Sequence, residues 1–438
     1  MNQKITLMFC NNKHVIKRNE KTLLANKTKG TWMIISSECF NYLNEFINSN
    51  SNLEEIRRSF NHEDDRKYFS YMIDKLITAH LIYKSNEPEE KEIPESANLI
   101  LTERCNLSCL HCCQAAQVAY DNSNVDTTDS LNKYEIFEII DKLVKMNLSN
   151  LTITGGEPLI RKDFWDIAKY LRNIFDGKIT LLTNGLLINE SNIKMLIECF
   201  DSVSVSIDGV DREMTKLIRG VDIHEIIISK VRLLKKYGME NVSLSSVLPN
   251  NANLRKEFEG KCNELGVKPI IRVLSFTGRA DENKEILKKE IKQYLIRRSF
   301  KDDSLKLDLK ETNNFLMNDK CASIISCGAA RRQITVGSDG SIYPCNMLQD
   351  KEYNLGNIKN VEKLVEFLES KELLENKGYI QFVKLYGFKI SNRCSNCDVN
   401  IFCHFCLKDY KNFDENDFEF DMYCKNTKNR LTEIVWGG

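Results

Sequence analysis

Cys105, Cys109 and Cys112 stand within one short segment, Thr102–Cys112, which reads Thr-Glu-Arg-Cys-Asn-Leu-Ser-Cys-Leu-His-Cys. Three thiolates this close cannot all pair as disulfides, but they can hold a metal cluster. A cube of four irons and four sulfides takes four thiolates, and the loop supplies three. One iron is left open to bind and activate something other than protein. The spacing therefore points to chemistry rather than to a structural staple.

The rest of the chain must position that loop. At 438 residues it is long enough for two or three domains with full cores. Hydrophobic residues make up 42% and charged residues 28%, ordinary for a globular protein, and the formal net charge is zero. A large nucleic-acid footprint would need a basic excess. The start of the chain has no apolar run of signal-peptide length, and no stretch reaches the length of a membrane span. The expectation is a cytoplasmic protein, where 16 cysteines read as metal ligands or reactive thiols rather than disulfides. Their distribution agrees. Four lie at Cys105–Cys113 and eight between Cys321 and Cys424, while Cys10, Cys39, Cys199 and Cys262 sit in apolar settings and read as small core residues.

Residues 1–85 read as a small α+β unit. Strands are predicted near Ile5–Phe9, Val15–Ile16, Trp32–Ile34 and Leu81–Tyr83. Three helices are predicted, the first carrying Cys39, Phe40, Leu43, Phe46 and Ile47 on one face, the second over Leu53–Phe60, the third marked by Phe69, Met72, Ile73, Leu76 and Ile77. Residues 86–97 are acidic, contain two prolines and read as a linker. Strand and helix patterns then alternate over 98–310. Strands are predicted at Asn98–Thr102, Leu151–Thr154, Ile179–Thr183, Val203–Ile207, Val242–Val247 and Ile270–Leu274. Six β-α units imply an α/β fold with a parallel sheet, a partial (β/α)6 barrel of the TIM type, and ligands at the C-terminal strand ends. Residues 311–438 read as a cysteine-rich, metal-organised domain without a large core of its own.

The second predicted strand runs into Gly155-Gly156-Glu157-Pro158. Two glycines let backbone approach a ligand closely, Glu157 offers a carboxylate to an ammonium group, and Pro158 stops the strand. With these residues the chain resembles the radical S-adenosylmethionine superfamily over roughly 98–275. The resemblance implies that Cys105, Cys109 and Cys112 hold a 4Fe-4S cluster whose free iron binds S-adenosyl-L-methionine, and that reductive cleavage yields a 5′-deoxyadenosyl radical that abstracts hydrogen from substrate. It also implies cofactor contacts by Gly155, Gly156, Glu157 and Pro158, by Asn184 in Thr183-Asn-Gly185, by Ser206 and Asp208 in Ser206-Ile-Asp-Gly209, and by Arg219. A zinc site usually closes with paired Cys-x-x-Cys units, and this loop fits zinc poorly.

The later cysteines are similar to the SPASM extension of that superfamily. The resemblance implies auxiliary cluster I on Cys321, Cys327, Cys345 and Cys406, and auxiliary cluster II on Cys394, Cys397, Cys403 and Cys424, three 4Fe-4S clusters in all. Two residues separate Cys403 from Cys406 where the family usually has three. The N-terminal unit resembles the RiPP recognition element, a winged-helix-like module that binds a leader peptide. Residues 1–90 carry 13 Lys or Arg against 12 Asp or Glu, no basic excess for DNA. Together these imply a maturase of a ribosomal precursor peptide, of the thioether-forming sactipeptide or ranthipeptide type, fed by an electron donor such as flavodoxin or ferredoxin. No protein acid or base is assigned. Rival readings are a carbon–carbon or carbon–oxygen crosslinking maturase, a formylglycine maker (against which stands Asn346, where that group has an aspartate) and a zinc-binding winged-helix regulator.

Overall fold

The structure, a computed structural model, describes residues 5–87, 93–118, 129–249, 251–301, 324, 327–387, 392–403, 406–408 and 418–437. Contacts divide the chain into two compact units.

One unit contains the N-terminal residues together with those after Tyr386. Strand β1 (Leu7–Phe9) is followed by β2 (Lys13–Arg18), β3 (Lys21–Asn26) and β4 (Thr31–Ser36), then helices α1 (Ser37–Asn48), α2 (Leu53–Arg58) and α3 (Glu63–Thr78), and finally β5 (Ile82–Lys84), which pairs antiparallel with β1. Ser36 caps α1 by accepting the Cys39 N–H, and Phe40 and Leu43 fill its buried face. The predicted helices are present, but β3 was not anticipated. It is the central strand of an antiparallel sheet in the order β2-β3-β4. Both its faces are buried: Leu24 packs towards α1 and α3, while Leu23 and Ala25 join Ile401, Phe402, Leu431 and Trp436 in a second core. A strand buried on two faces loses the alternation by which strands are recognised.

The other unit is built on a nine-stranded sheet. Its strands begin with β6 (Ser96–Ile100), after which a two-residue ladder joins β7 (Arg104–Cys105) to β8 (Gln117–Val118). Helix α4 (Lys133–Val144) leads to β9 (Asn150–Thr154), α5 (Phe164–Ile174) to β10 (Lys178–Thr183), and α6 (Ile193–Cys199) to β11 (Ser202–Ser206). Helices α7 (Arg212–Arg219) and α8 (His224–Lys236) lead to β12 (Asn241–Leu248), and α9 (Ala252–Leu265) to β13 (Lys268–Val273). The six long strands are parallel in sequential order, with Ala97 opposite Leu151, Leu181 opposite Val203, and Val203 opposite Val242. The predicted (β/α)6 partial barrel is present. Helix α4 shows why the elements form where they do. Asn132 and Glu135 make a capping box, and Ile136, Ile139, Ile140 and Leu143 are buried on the face towards the sheet.

The sheet continues beyond β6. Strand β14 (Gln333–Val336) pairs parallel with β6, and β15 (Ser341–Tyr343) and β16 (Gly356–Asn357) follow antiparallel. Gly337 and Gly340 make the β14–β15 turn, Gly340 at φ +84°. Residues 311–438, read from the sequence as one domain, thus contribute to both units: Gly328–Leu385 to the sheet unit, and the residues after Tyr386 to the N-terminal one. No helix among the described residues is long and apolar enough to cross a membrane.

Candidate functional site

In a parallel sheet the C-terminal strand ends open on one side, and each end here contributes a piece of one site. The loop after β6 carries Cys105, Cys109 and Cys112. The turn after β9 carries Glu157, the end of β10 Asn184, the turn after β11 Asp208, and α7 Arg219.

The glycines of the Gly-Gly-Glu-Pro turn serve the cysteine loop directly. A Cβ at Gly155 would stand 2.5 Å from the Thr102 carbonyl oxygen, and one at Gly156 2.2 Å from that of Arg104. Gly156 and Glu157 donate their N–H groups to those same two carbonyls, at 2.8 Å each. The close approach is therefore of backbone to backbone, and it seats the loop on β9. Glu157 is itself part of this support. It is fully buried, and its carboxylate accepts from Thr183 Oγ1 (2.8 Å), the Asn184 N–H (2.7 Å) and the Leu159 N–H (3.2 Å). Burial pushes its pKa up and these donors oppose the rise. Glu157 ties the turn to the end of β10 through these three donors. Pro158 starts a short 3-10 turn and is buried.

Asn184, buried, bridges the site. Its Nδ2 donates to Asn106 Oδ1 (2.7 Å) and lies 3.9 Å from Cys105 Sγ. The Leu107 N–H points at Cys105 Sγ (3.4 Å) and the Ala116 N–H at Cys112 Sγ (3.5 Å). Donors aimed at sulfur suit thiolate ligands, since such bonds stabilise the anionic form and tune a bound cluster. Without metal, burial raises the Cys105 thiol and pushes that of Cys109 up to about 12, against the pull of Arg219. A metal that replaces the proton relieves that cost. Cys113, which directly follows Cys112, is exposed.

Behind the loop lies a buried charge cluster that the sequence showed only in part. Asp208, at φ +54°, forms an ion pair with Arg219, accepts from the Val247 N–H (2.9 Å), and stands 3.1 Å from His111 Nε2. Burial alone would raise the Asp208 carboxyl; Arg219 and His111 outweigh it and hold it well below the usual carboxylate range. Arg219 Nε and His111 Nδ1 are buried without a hydrogen-bond partner. Two such orphans imply a polar ligand at this place, which fits S-adenosylmethionine with its carboxylate, amine and ribose. His111 was missed from the sequence, although it is the one titratable residue between Cys109 and Cys112. Ser206 is half-buried at the end of β11.

In the N-terminal unit, Cys394, Cys397, Cys403 and Cys424 line one cavity of about 450 Å³. Asn400 donates to the Cys394 carbonyl (2.9 Å) and the Trp436 indole to that of Asp398 (3.1 Å), fixing the knuckle against the helix Phe418–Trp436. Arg393, Lys425 and Lys428 also line it, with Asp421 paired to Arg393, so basic side chains outnumber acidic ones around the four thiols. No three His, Cys, Asp or Glu side chains among the described residues stand close enough to hold a single ion; a cluster holds its ligands further apart. Cys321 lies outside the described residues. Cys327 is half-buried, Cys345 buried and Cys406 exposed, and none of these three lines the cavity.

Residues 99–258 match the model of the Radical SAM superfamily, and residues 327–398 match that of SPASM, an iron–sulfur cluster-binding domain. A probable GTP 3',8-cyclase of Methanococcus aeolicus is 27% identical over 230 residues, 52% of this chain and 72% of the relative. The mycofactocin maturase MftC of Mycolicibacterium smegmatis is 26% identical over 267 residues, 59% of this chain and 66% of the relative. The solved structure of Streptococcus suis SuiB bound to S-adenosylmethionine overlays with a TM-score of 0.48 at 14% identity, covering 93% of this chain and 97% of that one. The chain therefore contains a stretch of the Radical SAM type at residues 99–258, which includes the cysteine loop and the strand ends beside it. It carries a SPASM domain as well, and its cofactors are S-adenosyl-L-methionine and 4Fe-4S clusters.

Proposed function

We propose that this enzyme matures a ribosomally synthesised precursor peptide by joining a substrate cysteine sulfur to carbon. The observation that carries the peptide reading is the α+β unit, which holds an antiparallel sheet with edges at β2 and β4. An extended leader peptide can add to such an edge by main-chain hydrogen bonds, so recognition is separated from chemistry. The near-neutral charge of residues 1–90 favours a peptide over DNA, and one of the relatives is itself named a maturase.

In this reading Cys105, Cys109 and Cys112 hold the cluster that binds S-adenosylmethionine, and Cys394, Cys397, Cys403 and Cys424 hold auxiliary cluster II. Cys327, Cys345 and Cys406, with Cys321, hold auxiliary cluster I. The bound cofactor supplies a hydrogen-abstracting radical. Asn184, Arg219 and His111 orient it, with Asp208 keeping Arg219 in place. Asn346 takes a structural part: its Oδ1 accepts from Gln114 (3.0 Å) and Gln349 (3.2 Å). A neutral amide there lacks the carboxylate that the formylglycine group has at this place.

Anaerobic incubation with the short peptide encoded beside the gene, followed by mass spectrometry, tests the proposal. A thioether removes two hydrogens per bond and leaves the cysteine resistant to alkylation. If the cysteines stay alkylatable after that loss, the bond is carbon–carbon or carbon–oxygen instead. If the peptide returns unchanged with a loaded enzyme, the maturase reading fails.

A further inference from the structure

The cysteine loop has almost no regular structure of its own. Between the two-residue ladder β7–β8 its internal backbone-to-backbone bonds are two tight turns, Cys112 N–H to the Cys109 carbonyl (3.3 Å) and Ala115 N–H to the Cys112 carbonyl (3.2 Å), and Ala115 is held at φ +48°. Something outside the loop must set its shape. The segment after β13 does so. There Gly278, at φ +57°, lies directly on the loop: a Cβ would stand 2.5 Å from the Cys113 carbonyl oxygen and 2.8 Å from that of Cys112. The next residue, Arg279, donates its backbone N–H to the Cys112 carbonyl at 2.9 Å. Its side chain donates through Nη1 to the Cys109 carbonyl at 3.1 Å and through Nη2 to the Ala116 carbonyl. Asn283, one turn on, reaches the Leu110 carbonyl at 3.4 Å. Leu110 itself packs against Ala280, Leu287 and Ile291.

A guanidinium presents donors in a rigid planar fork, so its two ends fix the separation of the two acceptors they bind. Here the acceptors belong to Cys109 and to Ala116, on either side of Cys112. The backbone N–H of the same residue holds Cys112 itself. A lysine could satisfy one carbonyl but could not span both.

We propose that Arg279 is a positioning residue for the cysteine loop, holding Cys109 and Cys112 in their ligating arrangement before iron arrives. The inference rests on the reading of Cys105, Cys109 and Cys112 as cluster ligands, and its test separates the two. In the iron-free full chain, amide hydrogen exchange across residues 109–118 is compared for wild type, Arg279→Lys and Arg279→Ala. Both variants should exchange faster there by roughly tenfold or more, with β9–β11 unchanged. The reconstituted chains are then compared with the Cys105→Ala/Cys109→Ala/Cys112→Ala variant for iron content and for the low-temperature electron spin resonance signal that S-adenosylmethionine perturbs. Arg279→Ala should fall towards the triple variant, and Arg279→Lys should lie between it and wild type. Wild-type exchange and wild-type iron in Arg279→Ala would overturn the clamp. Should Arg279→Ala loosen β9–β11 too, the milder Arg279→Lys decides. If the triple variant keeps all its iron and the perturbed signal, the cluster reading fails, and the exchange experiment still judges the clamp.

Discussion

The two best-defined cysteine sites are built in opposite ways. The loop of Cys105, Cys109 and Cys112 rests on a large parallel sheet: β9 supports it through Gly155 and Gly156, Asn184 stands beside it, and the segment after β13 holds its carbonyls. Its scaffold is a core that does not involve metal. The cavity of Cys394, Cys397, Cys403 and Cys424 is walled by the segment Arg393–Cys403 and the helix Phe418–Trp436, whose Val399 and Leu431 pack on Leu23 and Ala25 of the three-stranded sheet. Its scaffold is the smaller core of Leu23, Ala25, Ile401, Phe402, Leu431 and Trp436, so bound metal would supply a larger share of the order there. A site used for radical chemistry needs geometry independent of its load; a site that helps to organise a domain can let its load do the organising.

The comparison can be broken by experiment. The largest effect is expected for the Cys105→Ala/Cys109→Ala/Cys112→Ala variant: release of 5′-deoxyadenosine should fall by about a thousandfold or more, to background. Its circular dichroism and melting should stay near wild type; a collapse of the fold would mean that this site, too, depends on metal. Next, Cys397→Ser/Cys424→Ser, or iron removal by chelation, should raise hydrogen exchange in Lys13–Ser36 and Phe418–Trp436 while β9–β12 keep their protection. Uniform exchange across both units would erase the distinction. Third, Phe402, fully buried and edge-on to Trp32 at 5.1 Å, ties the cavity wall to the sheet. Phe402→Ala should cost about 3–5 kcal/mol in the N-terminal unit by denaturant unfolding and speed iron loss from the cavity. The smallest effect is expected for Glu157→Gln. An amide presents an N–H₂ where three donors already point, so about 1–3 kcal/mol should be lost in the sheet unit. A change in cofactor affinity with unchanged urea midpoint would instead restore Glu157 as a ligand.

Much of this was legible in the chain. The six parallel strands follow from apolar runs of Val, Ile and Leu between helical patterns, and all six lie within two residues of their expected positions. The loop cysteines were legible because three thiols at such spacing have few other uses. Strand β14 was not, because its partner is remote: Asn98 and Thr335, which share a hydrogen bond, are 237 residues apart. The hydrogen bonds of Glu157 were not legible, because Thr183 and Asn184 reach its carboxylate only once the neighbouring strand is folded against it. Arg279 carried no signal at all, being one arginine in a chain with 62 basic residues.

The sequence by itself determined the chemistry: which thiols are close enough to share a cluster, and that a β/α alternation would carry them to strand ends. Ligand types and local periodicity are properties of neighbours along the chain. Only the tertiary structure decided how the loop is held, that Asp208, Arg219 and His111 form one buried charge cluster, and that the last cysteines close their cavity against the N-terminal sheet. Those arrangements depend on contacts between residues distant in the chain, and burial, which sets their energies, exists only once those contacts form.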